Sequence, residues 1–525
     1  MKSGARIVLL VLVFPPVACL AEVSLPSCFS SNMVLQRDVP VKLTGWADVG
    51  EQVRVKVGDR VVAETIGEGP DTAWAVTLPA SPAGEVPDLT VEGKNSITLT
   101  NLLSGEVWVC AGQSNMEMTL GEGPWCSYGG VENAAREIAA ADHPQIRFFT
   151  SGTKTPWQIC TPETAKKFSA AAYFFGRELH RSLGVPVGLA VAAVGGTPAE
   201  YWTPREAREA MSGFPEELAK ANKIMQSELK VKFDTEREAI QEWRKAVAVA
   251  RERGQSEPER PMPLLTPEQQ EEVRSAIHAV SPGSGYEARV KPLTGMTVRG
   301  VTWYQGESNV PRAHEYAKLM KVLIEGWRSA WAQTDLPFLM MQLVNFGDGS
   351  TTAAGPGWAK LREAQQSVAD SVPGAALASG IDIGDPGNIH PKNKQEVGRR
   401  LALLALNRIY QKDVVALGPR VTALRRDDAK VLLLFDPGGK NQRVVLKGNN
   451  GFELAGADGK FLPASAVLGP DGNEIIVAAD KVADPVQVRY AWANNPPATI
   501  YNSAGLPAAP FKKSVAEVSG SAEGE

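Results

Sequence analysis

The chain has 525 residues, 43% of them hydrophobic and 22% charged, with 55 Lys and Arg against 59 Asp and Glu for a net charge of −4. That length exceeds one hydrophobic core and predicts about two to four domains of an ordinary globular protein. The near balance of charge, without a long Lys/Arg block, excludes nucleic acid or an acidic membrane surface as the expected partner.

The first 21 residues read as a secretory signal. Lys2 and Arg6 give a basic start, Ile7–Phe14 an apolar run too short to span a bilayer, and Ala18-Cys19-Leu20-Ala21 a small-residue cut site with cleavage expected after Ala21. Cys19 as a lipoprotein anchor is the second reading, because Pro16 stands where a lipobox usually carries Leu. No later stretch is long and apolar enough for a membrane span. The expected location is therefore periplasmic or extracellular.

Residues 22–103 carry period-two alternation (Val41-Lys42-Leu43, Val53–Val57, Ser96–Leu99) between Gly and Pro turns, the pattern of a small β-sandwich. Residues 104–412 change character. Apolar strand candidates at Val107–Ala111, Val187–Val194, Gly300–Tyr304, Phe338–Val344 and Ala375–Ile381 alternate with helix candidates at Ala165–Leu183, His314–Trp331, Trp358–Val372 and Asn393–Tyr410. Such alternation predicts a three-layer α/β domain, a parallel sheet covered on both faces.

Within it, residues 205–281 read as an insertion. Leu229, Phe233, Ile240, Trp243 and Val247 share one helix face, Gly254–Pro267 breaks the pattern and Glu268–Val280 resumes it, which predicts a helical hairpin docked on the sheet. Residues 413–525 return to β patterning, a second small sandwich ending in a disordered tail.

Removing Cys19 with the signal leaves Cys28, Cys110, Cys126 and Cys160, which permit two disulfides in three connectivities. There is no C-x-x-C spacing, and the histidines (His143, His180, His278, His314, His390) are scattered, so no metal site or other cofactor is expected.

The chemistry concentrates at predicted strand ends, where open parallel sheets bind ligands. Val107–Ala111 runs through Gly112 into Ser114 and then the helix formers Met116-Glu117-Met118. A strand–turn–helix with Ser in the turn presents a hydroxyl beside free helix N–H groups, as acyl transfer requires; taken alone, the same pattern also fits a Ser N-cap. Three further loops follow predicted strands: GGTPAEYW at Gly195–Trp202, WYQGESN at Trp303–Asn309 and IHPKNK at Ile389–Lys394.

Together with GQSNM at Gly112–Met116, these loops resemble the sialate O-acetylesterase family of SGNH-type hydrolases. The resemblance extends to LPSCFSSNMVLQRDVPV (Leu25–Val41), FELAGADGKF (Phe452–Phe461) and VRYAWANNPPATIYNSAGLPAAPF (Val488–Phe511). It implies an SGNH sheet flanked by N- and C-terminal β regions and a serine esterase acting on O-acetylated sugars, sialic acid first. In that reading Ser114 is the nucleophile and His390 the base, and the oxyanion is held by the Ser114 and Gly196 N–H groups with Gln305, ahead of Asn309, as side-chain donor.

The triad acid is open. Many SGNH hydrolases carry Asp three residues before the His, where this chain has Gly387, so Asp385 ranks ahead of Asp382 and Glu307, with a Ser–His dyad oriented by a backbone carbonyl as the alternative. GYEARVKPL (Gly285–Leu293) departs from an Asn-containing run in relatives, which bears on specificity. Trp108, Trp202 and Trp303 are either sugar platforms or core. Acetylated xylan or another glycan is the rival substrate, and a non-catalytic carbohydrate-binding protein or a decayed surface protein the rivals of another class. A sialic acid carboxylate also requires an Arg that the sequence does not single out.

Overall fold

The computed structural model describes residues 22–123, 126–347 and 357–515. The predicted signal, Cys19 included, lies outside the described residues, as does the tail expected at Val518–Glu525. Among the described residues no helix is long and apolar enough to cross a membrane.

The centre is a sheet whose main path has seven strands: β1 (Leu102–Gly112), β2 (His143–Thr150), β3 (Gln158–Cys160), β4 (Val187–Ala193), β5 (Gly300–Tyr304), β6 (Phe338–Met341) and β7 (Ala375–Ala378). The order is β3-β2-β4-β1-β5-β6-β7, parallel throughout except for the edge strand β3. The helices used below are α1 (Ser114–Glu117), α2 (Ala170–Leu183), α3 (Phe214–Met225), α4 (Glu228–Glu252), α5 (Pro267–Val280), α6 (Ala313–Trp331), α7 (Gly357–Ser371) and α8 (Lys394–Arg408).

Alternation along β1 divides the core into two layers. Val107, Val109 and Ala111 join the cluster of α6 and α7, whereas Trp108 and Cys110 join the cluster of α2 and α8. The chain leaves β1 to build β2 and β4 on one side, then crosses to β5 on the other. That reversal opens a crevice at the carboxyl end of β1.

The N-terminal region is continuous with this domain. Val34–Gln36 pairs parallel and Gly84–Val86 antiparallel with the first residues of β1, so the expected boundary after residue 103 falls inside one strand. Its side chains Leu43, Val55, Trp74 and Leu89 share a cluster with α6 and α7.

Residues beyond α8 instead form a curled seven-stranded antiparallel sheet with a core of its own, to which the central domain lends Ile381. The two are tied by Arg362, fully buried in α7. Its guanidinium donates to Leu343 O, Val344 O and Ala493 O at 2.8 Å each and to Asn494 O at 2.9 Å, with no carboxylate beside it among the described residues.

Two sequence expectations change. The insertion is four helices, a short one at Arg205–Glu209 followed by α3, α4 and α5, and it docks on the connections beyond the strand ends and on α6 rather than on the sheet: the His278 ring lies edge-on to Tyr201 at 5.8 Å, Glu271 meets Arg312 at 3.4 Å, and Lys318 of α6 donates to Ser212 Oγ at 2.6 Å. The four cysteines are all free and buried. They sit in separate surroundings, Cys28 against Pro292 O at 3.3 Å, Cys160 against Ala141 O at 3.5 Å and Cys110 inside β1, and burial pushes these three thiols up to about 12.

Candidate active site

Register brings the site together. Ala193 of β4 and Tyr304 of β5 both pair with Gly112 at the end of β1, so three loops leave the sheet side by side: Gln113–Ser114, Val194–Thr197 and Gln305–Asn309. Gly112 has φ +148°, and a Cβ there would lie 2.1 Å from Tyr304 O; only glycine lets the chain turn out so close to β5.

Ser114 is the first residue of α1 and not its cap. The N-cap position is Gln113, whose side chain turns away to accept Gly306 N–H at 3.3 Å and Ser308 N–H at 3.4 Å. The N-cap reading of Ser114 therefore falls. Its hydroxyl has no hydrogen bond among the described residues and is left for a reactant.

The backbone N–H groups of Ser114 and Gly196 likewise have no acceptor among the described residues. Gly196 stands exposed at φ +72°, and a Cβ there would meet nothing within 4 Å, so its backbone angle rather than crowding by the protein calls for glycine. The loop is fixed one residue earlier. Gly195 N–H donates to Glu117 Oε2 at 2.8 Å, and the Tyr128 hydroxyl donates to the same oxygen.

His390 reaches this rim from the loop before α8. Its ring stacks on Tyr128 with centroids 4.3 Å apart and 13° between planes. Tyr128 and Ser114 meet across Gly195: a Cβ built there would lie 2.8 Å from the tyrosine oxygen and 3.4 Å from Ser114 Cβ. Asn115, next to Ser114, donates to Ile389 O, next to His390, at 3.0 Å. The hydroxyl and the imidazole thus share one rim without a hydrogen bond between them, a common state for a base before its substrate arrives. Burial, and then the charge of Lys394, push the imidazole down to about 4.

Two expected roles are revised by partners. Gln305 is fully buried, and Nε2 spends both protons, on Asn309 Oδ1 at 2.7 Å and Thr197 O at 3.3 Å, while Oε1 accepts from Tyr316 at 3.1 Å. It holds the second and third loops together and has no proton left for an oxyanion. Asn309 gives one proton to Glu200 at 2.9 Å.

Asp385 is exposed, and its carboxylate caps its own turn by accepting Gly387 N–H at 2.9 Å; it makes no bond to the imidazole. Asp382 pairs with Arg400 at 2.6 Å, and Glu307 accepts from Asn115 at 2.5 Å. No carboxylate among the described residues bonds the His390 ring.

Sequence reasoning did not single out Asn115, Glu117, Tyr128 or Lys394. Asn115 and Lys394 lie inside the quoted motifs, yet their contact at 2.8 Å spans 279 positions and has no local signal. Trp108, Trp202 and Trp303 are fully buried with their N–H groups on Tyr410, Thr197 and Tyr316, so they are core and not sugar platforms. Arg289, in the segment Gly285–Leu293, stands at the carboxyl end of β2, with Nη1 on Ser151 O at 2.6 Å. Among the described residues no group of three or more His, Cys, Asp or Glu forms a metal site.

A hydroxyl at a helix start, two unpartnered N–H groups and a histidine on one rim are the parts of an ester hydrolase. Residues 104–233 and 281–407 match the family model of the carbohydrate esterase, sialic acid-specific acetylesterase domain; the gap covers most of α4 and α5. Sialate O-acetylesterase from Rattus norvegicus is 28% identical over 92% of this chain and 93% of its own length, and that from Homo sapiens 27% over 92% and 91%. A solved carbohydrate acetylesterase from Xanthomonas citri superposes with a TM-score of 0.74 at 29% identity, covering 94% of this chain and 99% of the other. The protein is an esterase. Through its central domain it belongs to the sialate O-acetylesterase family of carbohydrate esterases.

Proposed function

We propose that the protein removes O-acetyl groups from sugars, with O-acetylated sialic acid as the first substrate and Ser114 and His390 as the reacting pair. The carrying observation is the meeting at one sheet end of the unbonded Ser114 hydroxyl, the unpartnered N–H groups of Ser114 and Gly196, and the imidazole of His390.

In this reading Ser114 Oγ bonds to the acetyl carbonyl carbon as its proton passes to His390. The two N–H groups receive the oxyanion. The ester C–O bond then breaks and the sugar oxygen takes the proton from the imidazolium. Water, deprotonated by the same imidazole, adds to the acetyl-enzyme; acetate leaves and Ser114 regains its proton. Each donor to the oxyanion is worth about 2.7–4 kcal/mol of barrier. His390, pushed down to about 4, is the neutral base at any pH above that value.

For sialic acid, Arg289 would supply the guanidinium that a carboxylate calls for; it stands two strands from β1, about 10 Å across the sheet. The broader reading, an acetylated xylan or other glycan, is supported by the carbohydrate acetylesterase of similar fold. Export to the periplasm or outside the cell is part of the proposal and rests on the signal-like first 21 residues.

The test is Ser114→Ala assayed on 4-nitrophenyl acetate, acetylated sialic acid and a panel of acetylated glycans. The expected loss is about 10⁴-fold or more. Unchanged turnover overturns the assignment, and the panel ranks the sugars.

A further inference from the structure

If the imidazole lacks a carboxylate, something else must aim it. Beneath the rim lies a polar cluster that the mechanism above does not use. Lys394 is 0% exposed, and its ammonium donates to Pro391 O at 2.6 Å and Asn115 Oδ1 at 2.8 Å. The Asn115 amide in turn donates to Glu307 Oε1 at 2.5 Å and Ile389 O at 3.0 Å. The other Glu307 oxygen is buried without a partner among the described residues.

Both peptide carbonyls flanking His390 are therefore gripped, Ile389 O by Asn115 and Pro391 O by Lys394. Every member comes from a loop that also carries the site: Asn115 follows Ser114, Glu307 lies two residues after Gln305, and Lys394 lies four after His390.

The arrangement is costly as plain architecture. A buried ammonium loses its hydration, and Lys394 opens α8, where the helix dipole opposes a cation. Burial pulls Lys394 down to about 7 against the pull of Glu307, and burial raises Glu307. Groups held at that cost in a cleft point to function.

Resting on the esterase reading above, we propose that Lys394, bridged by Asn115 to Glu307, is the positioning device that stands in for a triad acid. It aims the His390 loop through the backbone on both sides of the histidine while its charge holds the imidazole in the basic form. Among the described residues, the titratable groups around His390 are Tyr128 stacked on its ring with Glu117 behind it, the exposed pair Lys392 and Glu122 at 3.7 Å, Asp385 earlier in the loop, and Lys394 with Glu307. Among these, only Lys394 combines full burial with a direct bond to the histidine's loop.

The experiment measures kcat and kcat/KM on 4-nitrophenyl acetate from pH 3.5 to 8 for the full chain, K394M and E307Q, with melting temperature and fluorophosphonate labelling of Ser114 alongside. Lys394→Met should lower kcat about 100-fold, the scale of a 1 Å misplacement. It should also move the acid limb of kcat/KM from near 4 in the wild type towards the ordinary histidine value. Glu307→Gln keeps the acceptor for Asn115, and because burial already holds Glu307 protonated on the acid side, it should cost less in kcat and leave the acid limb in place.

A folded Lys394→Met variant with unchanged kcat and acid limb overturns the proposal, as does a lowered melting temperature with an unmoved limb. Should Lys394→Met fail to fold, Lys394→Gln, which removes the charge and keeps an N–H donor, decides by the acid limb. If the wild type releases no acetate, or Ser114→Ala stays active, it is the esterase reading that fails and not this one.

Discussion

Two buried carboxylates stand about 20 Å apart along the same sheet and are treated in opposite ways. Glu106, early in β1, has no exposure and four donors: Arg37 Nε at 2.6 Å, Arg299 Nε and Tyr410 Oη at 2.8 Å each, and Gln36 Nε2 at 3.2 Å. Burial alone would raise it, but Arg299, Tyr410 and Gln36 outweigh burial and hold it below the ordinary carboxylate range. Glu307, past the end of β5, has one donor for two oxygens, and burial carries it upward.

The first acid joins the N-terminal strand, β1, the start of β5 and the end of α8; nothing is left unpaired. The second leaves one oxygen unmet among the described residues, one amide side chain away from the backbone beside His390. Full satisfaction marks the end of the sheet that holds the fold, and incomplete satisfaction the end that does chemistry.

The largest expected effect comes from emptying the satisfied end. Glu106→Ala should cost about 3–5 kcal/mol in urea unfolding, since it strands Arg299 and leaves Arg37 with Asp38 alone, while kcat of the folded enzyme stays within about threefold. A kcat loss matching that of a rim substitution would erase the distinction between the two ends.

The second expectation concerns pH. Glu106, held below its unfolded value, stabilises the fold above about 4.3, and that contribution is lost as pH falls through its folded value. Glu307, held above, has the opposite sign: its contribution is complete below about 4.3 and lost as pH rises through its folded value. Urea midpoints from pH 3 to 8 should show the penalty of Glu106→Gln shrinking on acidification and that of Glu307→Gln growing. Parallel curves would break the contrast.

The smallest effect should come from Tyr128→Leu, which removes the ring under His390. Such stacks are worth about 0.5–1.5 kcal/mol, or roughly two- to tenfold in kcat/KM, read against an unchanged acid limb.

The strands of the central domain were legible where the pattern was simple. Gly300–Tyr304 is observed as expected, and α6 and α8 begin within one residue of their expected starts. His143–Thr150 was not legible. Its Pro144 and Arg147 break the apolar run, and Arg147 is buried only because its guanidinium finds Asn32 O, Asn101 O and Pro144 O.

The same division holds in the site. The four loops could be read in order, three because register forces them together and the His390 loop by its place before α8. The duty of each polar atom could not, since Gln305 commits its protons to Thr197 and Asn309, and Asp385 commits its carboxylate to its own turn.

Arg362 has a consequence for how far the protein can be cut down. Two of its four acceptors, Ala493 O and Asn494 O, belong to a loop between strands of the C-terminal region, and beside them Asn495 Oδ1 accepts from Asn345, which in turn accepts Gly384 N–H at 2.8 Å. Trimming the chain after α8 would leave a dry cation with half its partners and unfasten the stretch leading to His390. The last hundred residues act as a keystone wedged into the catalytic half, not as an appendage that can be dispensed with.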